Sequence, residues 1–172
     1  MYPDGALSST PLSPTPCCIS TLTINSRTAN SFLDTTITYQ DITTLPSSIP
    51  GIIDYNPEDH MIIPIHLSYK NFSLQTIAMI DCGATSNFLD PGFAKTYNIP
   101  LLKKLVPREV ELVDGTLISS GPVTHGTLPL GISIDSHHET LSFDVAKLKH
   151  YPIILGLGWL WHHNPYIDWK CN

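Results

Sequence analysis

Positive charge is scarce in this sequence: nine Lys and Arg stand against fifteen Asp and Glu in 172 residues, a formal net charge of −6. The basic residues never cluster beyond the pair Lys103-Lys104, so there is no stripe to neutralise phosphates, and direct nucleic-acid binding is not expected. Also missing are an apolar run long enough to span a bilayer and a basic-then-apolar leader at the start. No membrane partner is therefore expected, and a cytoplasmic location is the default. Cysteine is sparse too. Cys17, Cys18, Cys82 and Cys171 show no CxxC spacing and two are adjacent, which suits neither a zinc site nor a disulfide framework, so reduced thiols are expected. The eight histidines include no HExxH, and His137-His138 and His162-His163 are neighbours rather than residues one helical turn apart. The expectation is no metal and no cofactor.

Hydrophobic residues make up 42% of the chain, enough for one ordinary core. They are unevenly spread. Residues 1–50 hold 18 Ser or Thr, six Pro and only four charged side chains, a composition without sustained helical period. This stretch reads as a linker or disordered tail, although Thr21-Leu22-Thr23-Ile24 alternates as a strand would. The Pro50-Gly51 pair marks the boundary, and residues 51–172 form the expected folded domain.

That domain reads as short strands. Ile62, Ile63, Ile65 and Leu67 form one apolar run, Lys70-Asn71 supplies a turn, and Phe72 to Ile80 returns as a second strand ending at Asp81. Asp90-Pro91 starts a helix of at most two turns, which Asn98 and Pro100 stop. Asp114-Gly115 splits Val110 to Ile118 into a hairpin with a tight two-residue turn. Leu128, Leu130, Ile132 and Ile134 alternate with small or polar residues, polar Asp135 to Glu139 intervenes, and Leu141, Phe143 and Val145 alternate again. Ile153-Ile154-Leu155 is a buried run ending at Gly156, and Leu157 to His162 forms a short helix before Asn164-Pro165. The sum is an all-β, barrel-like domain with one or two short helices.

One segment carries chemistry. Ala78-Met79-Ile80-Asp81-Cys82-Gly83-Ala84-Thr85-Ser86-Asn87-Phe88-Leu89 places a carboxylate at the end of a rigid strand, where glycine lets a backbone approach closely. It resembles the hydrophobic-hydrophobic-Asp-(Ser/Thr)-Gly-Ala signature of retropepsins, most closely those of gypsy-type LTR retrotransposon polyproteins. Val110-Glu111-Leu112-Val113-Asp114-Gly115-Thr116 resembles their flap hairpin. Tyr151-Pro152-Ile153-Ile154-Leu155-Gly156-Leu157-Gly158-Trp159-Leu160, with His163-Asn164-Pro165 and Ile167-Asp168-Trp169, resembles their closing strand and helix.

The resemblance implies a closed β-barrel protomer with a flap, and an aspartic endopeptidase acting on a peptide or polyprotein. Such enzymes need two carboxylates about 3 Å apart sharing one proton. This chain offers one Asp of that kind, so the resemblance implies a homodimer in which Asp81 of each copy completes the site. It further implies an active-site loop of Cys82, Gly83 and Ala84, and substrate contacts from Thr85, Ser86, Val113, Asp114 and Gly115. Residue by residue, Asp114 also reads as a turn-former, Thr85 and Ser86 as loop polar groups, and Trp159, Leu160 and Trp161 as packing. Cys82 stands where the family usually has Ser or Thr, whose hydroxyl ties the two active-site loops together; a thiol does so poorly. Relatives also continue past the position of Asn172, which points to a truncated or excerpted domain. The alternative reading is a catalytically silent peptide-binding module or retrotransposon remnant.

Overall fold

The computed structural model describes residues 21–28, 31–38, 60–112 and 114–167. Val113, Asp168, Trp169, Cys17, Cys18 and Cys171, singled out above, lie outside these residues. Two strands come first, β1 (Thr21–Thr28) and β2 (Ser31–Thr38), paired antiparallel along their whole length. Within the stretch 1–50 read as a linker or disordered tail, these two segments are strands, as the alternation beginning at Thr21-Leu22-Thr23-Ile24 allows, and the rest of that stretch lies outside the described residues.

From residue 62 the chain is a succession of short strands with two short helices. β3 (Ile62–Tyr69) and β4 (Phe72–Ile80) form the expected hairpin, with Lys70 at φ 52° in its turn. β5 (Phe88–Leu89) leads into α1 (Pro91–Thr96), where Asp90 accepts the Phe93 N–H at 3.0 Å and proline occupies the first turn. Next come β6 (Leu101–Arg108), β7 (Val123–Thr127), β8 (Leu130–Ile134), β9 (His137–Leu141) and β10 (Asp144–Val145). β11 (Ile153–Leu155), α2 (Leu157–His163) and β12 (Tyr166–Ile167) complete the described chain.

Nine strands make one sheet in the order β6-β7-β10-β5-β11-β4-β3-β8-β9, and β12-β1-β2 make a second of three. The fold is all-β and retropepsin-like, as expected. Among the described residues no pairing joins β6 to β9, so the large sheet is not closed by hydrogen bonds. The polar break expected over 135–139 is confined to a turn at 135–136, and His137 opens β9 as a buried residue.

The period-two pattern explains the core. Ile63, Ile65 and Leu67 of β3 and Leu130, Ile132 and Ile134 of β8 point to one side and are buried. Phe93, Leu89, Phe143, Ile153, Leu155 and Trp159 close over them. Full burial of each such side chain contributes roughly 1.5–3 kcal/mol. A smaller cluster of Phe88, Val123 and Ala146 carries Ala84, Val110, Ile118, Leu148 and Ile154 on its rim. That satellite core lies beneath the candidate site.

Candidate active site

Asp81 follows directly on β4. Its N–H donates to the Leu155 carbonyl at 3.0 Å, just as the Ile80 N–H donates to Met61 at 2.9 Å. β11 runs parallel to β4 on one side and antiparallel to β5 on the other, with Leu155 opposite Ile80 and Ile154 opposite Phe88. The loop 81–87 therefore leaves one neighbour of β11 and returns as the other.

The loop is held from within and from across. The Gly83 N–H donates to Asp81 Oδ1 at 2.8 Å and the Ala84 N–H to the Asp81 carbonyl at 3.3 Å. Asn87 Oδ1 accepts the Gly156 N–H at 2.9 Å, and the Ala84 carbonyl accepts the Leu157 N–H at 2.7 Å. Residue 156 must be glycine for this approach: a Cβ there would lie 2.3 Å from the Ser86 carbonyl oxygen and 2.5 Å from that of Ala84.

A cleft of about 340 Å³ opens over this loop. Asp81, Gly83, Ala84 and Thr85 of the loop line it together with Val110, Glu111, Leu112 and Ile118 of the flap. Phe88, Ala146 and Ile154 supply apolar walls, and Lys147 and Lys149 bring positive charge. The size and mixed lining suit a peptide segment.

The flap hairpin forms, with a different turn from the one expected. Glu111 and Leu117 bridge, the Ile118 N–H donates to Val110 at 3.0 Å, and the Leu112 N–H donates to Thr116 at 2.7 Å. The Gly115 N–H donates to the Leu112 carbonyl at 2.9 Å, with Gly115 at φ 80°. The loop thus has three residues ending in a left-handed glycine, rather than a two-residue turn centred on Asp114-Gly115. Asp114 Oδ1 accepts from the Thr116 N–H at 2.9 Å and the Thr116 hydroxyl at 2.7 Å, and these bonds hold its carboxyl below the ordinary range.

Of the residues singled out in the sequence, Asp81, Gly83, Ala84 and Thr85 share the cleft. Cys82 is an exposed free thiol outside its lining, and Asp114 and Gly115 lie at the flap tip, also outside the lining. Ser86 is not part of the lining, and its Oγ accepts from Arg108 Nη2 at 2.6 Å. Arg108 also pairs with Asp144 at 2.5 Å, and Lys104 binds the other oxygen of that carboxylate. Arg108, Lys104 and Asp144 gave no motif in the sequence, since Ser86 and Arg108 are 22 positions apart. Asn87 lies within the Asp81 motif, and its amide at the end of a polar loop is the available signal.

A family model described as the PEG10/RTL1 protease domain matches residues 77–172, more than half of the chain, including the Asp81 loop, the flap and the Gly156 turn. The chain belongs to this family. The matched stretch begins within β4, and β1, β2 and β3 precede it. The resemblance to retropepsin-type domains is thereby borne out. Among solved structures, the chain is similar to EIAV protease complexed with the inhibitor HBY-793, at 18% identity and a TM-score of 0.45 over 64% of this chain and 93% of that one. It is also similar to the retroviral protease-like domain of Ddi1 from Leishmania major, at 13% identity and a TM-score of 0.44 over 63% and 88%.

Proposed function

We propose that this PEG10/RTL1-type domain is an aspartic endopeptidase that acts as a homodimer, each copy contributing Asp81. The observation that carries the reading is the shared cleft, lined both by Asp81 with its glycine-bearing loop and by Val110, Glu111, Leu112 and Ile118 of the flap hairpin. In this reading an extended peptide lies between loop and flap and pairs through its backbone as an added strand. One Asp81 carboxylate accepts a proton from water as that water attacks the scissile carbonyl, and the protonated partner carboxyl donates to the carbonyl oxygen. Collapse of the intermediate breaks the C–N bond, with a proton passing to the leaving amine.

Thr85 faces the bound peptide, Val113, Asp114 and Gly115 cover it, and Cys82, Gly83 and Ala84 meet the partner's loop. Ser86, engaged with Arg108, steadies the loop rather than the substrate. The natural substrate in this reading is a retrotransposon-type polyprotein, met in the cytoplasm, where thiols such as Cys82 stay reduced. Cys82 also favours a second reading, a silent peptide-binding module, because a thiol bonds weakly where a hydroxyl would join two loops.

Solution mass measured alongside cleavage of a peptide library at mildly acidic pH separates the two. A dimer that cuts internal peptide bonds supports the endopeptidase. A chain that binds peptides and stays inert at every concentration supports the module.

A further inference from the structure

Outside the cleft, three ligand-type side chains converge where β9 meets α2. Glu139 Oε2 lies 3.1 Å from His163 Nε2, and Glu139 Oε1 lies 3.3 Å from His137 Nε2. One ligand atom from each residue falls within a span of 4.8 Å. Both imidazoles are buried, at 7% and 6% exposure, and their rings meet edge to face with centroids 4.8 Å apart. None of the three lines the cleft.

The contacts differ in kind. His163 Nε2 forms a hydrogen bond with the carboxylate, whereas His137 Nε2 is fully enclosed and has no hydrogen-bond partner despite its proximity to Oε1. A buried imidazole nitrogen held beside a carboxylate at 3.3 Å but out of hydrogen-bond geometry is incompletely satisfied, and a shared ligand would complete it. The Trp159 indole N–H donates to Glu139 Oε1 at 2.6 Å, fixing the carboxylate from behind, as donors around metal-binding carboxylates do.

We infer that His137, Glu139 and His163 form a site for a divalent transition-metal ion, with zinc the best chemical fit. Zinc bonds of about 2.0–2.2 Å at tetrahedral angles set neighbouring ligand atoms about 3.3–3.6 Å apart; the two imidazoles lie 3.1 and 3.3 Å from different Glu139 oxygens, and the set, spread over up to 4.8 Å, draws together when the ion binds. Two imidazoles and one carboxylate are borderline ligands suited to zinc, and three protein ligands leave a fourth position for water. Bound metal would give the His137 nitrogen its missing partner. It would also fasten α2, which follows directly on Gly156, to β9 at the outer edge of the large sheet.

The test uses the full chain freed of metal with a chelator and then titrated with zinc chloride. The histidine ring nitrogens are followed by NMR, and thermal unfolding is recorded with and without zinc. One zinc per chain, shifts at His137 and His163 but not at exposed His138 and His162, and a higher unfolding temperature are expected. Glu139→Gln should weaken binding by more than about tenfold while His138→Gln leaves it unchanged. If Glu139→Gln does not fold, the ring-nitrogen shifts of the unmodified chain decide alone. No uptake of zinc, or uptake that leaves the His137 and His163 nitrogens unmoved, as when thiols bind the metal instead, overturns the inference.

Discussion

The N–H of Asp81 donates to the carbonyl of Leu155 at 3.0 Å, so the candidate catalytic residue is tied to the strand that runs between the two arms of its own loop. How closely β11 and that loop approach then decides where the carboxylate sits.

Gly156 sets the approach. Gly156→Ala pushes a methyl against the Ser86 and Ala84 carbonyls, which are backbone atoms and cannot rotate away. It is expected to destabilise the domain by about 1–3 kcal/mol in chemical denaturation. Gly158→Ala, on α2 with open space around it, is expected to be neutral or to stabilise by up to about 1 kcal/mol. Equal effects at the two positions would contradict the packing described.

Much of this geometry was legible in the sequence because it follows local rules. The β3–β4 hairpin, the Asp90-Pro91 helix start and the Ile153-Ile154-Leu155 run ending at Gly156 each depend on neighbours within a few residues. What the sequence hid depends on distance along the chain. Glu139 meets Trp159 and His163 from 20 and 24 positions away, so no spacing rule for metal ligands detects the cluster. His137 looked like part of a polar break, and its burial follows from β9 pairing with β8. The flap turn is ambiguous in sequence because Asp-Gly serves both two-residue turns and three-residue loops that end in a left-handed glycine.

Asp144 collects both Lys104 and Arg108 at a mostly buried carboxylate. Asp144→Asn leaves both cations without a charged partner. Because Arg108 is 41% exposed, the expected loss is discounted to about 1–2 kcal/mol. Denaturation at low and high salt checks this: the difference from the unmodified chain should shrink as salt rises. A salt-independent difference would point to packing rather than charge.

The flap turn should survive mild acid. Thr116 hydrogen bonds lower the Asp114 pKa in the folded state, so their contribution is present above the unfolded value and is lost only as pH falls through the lower, folded one. An NMR titration should place the Asp114 midpoint below 3.8, and Thr116→Val should move it upward. A midpoint at or above 3.8 in the unmodified chain contradicts the turn as described.

Cys82 bears on the proposed dimer. A hydroxyl in its place would donate and accept better, and twofold symmetry repeats the gain. Cys82→Thr is expected to tighten association by on the order of 1–3 kcal/mol, about five- to 150-fold in dissociation constant. Sedimentation across a dilution series reads this directly, and an unchanged constant would remove Cys82 from the subunit contact.

In the proposed reaction the Asp81 carboxyl transfers the protons, and Asp81→Asn removes that capacity. The amide keeps the shape of the side chain but cannot serve as the base of a shared-proton pair. Peptide cleavage by the full-length variant and by the unmodified chain is compared at matched concentration, with folding checked by denaturation. Stability within about 0.5 kcal/mol and a fall in cleavage of about 10²–10⁴-fold or more is the expected result. Cleavage that persists undiminished in a folded Asp81→Asn protein would contradict it.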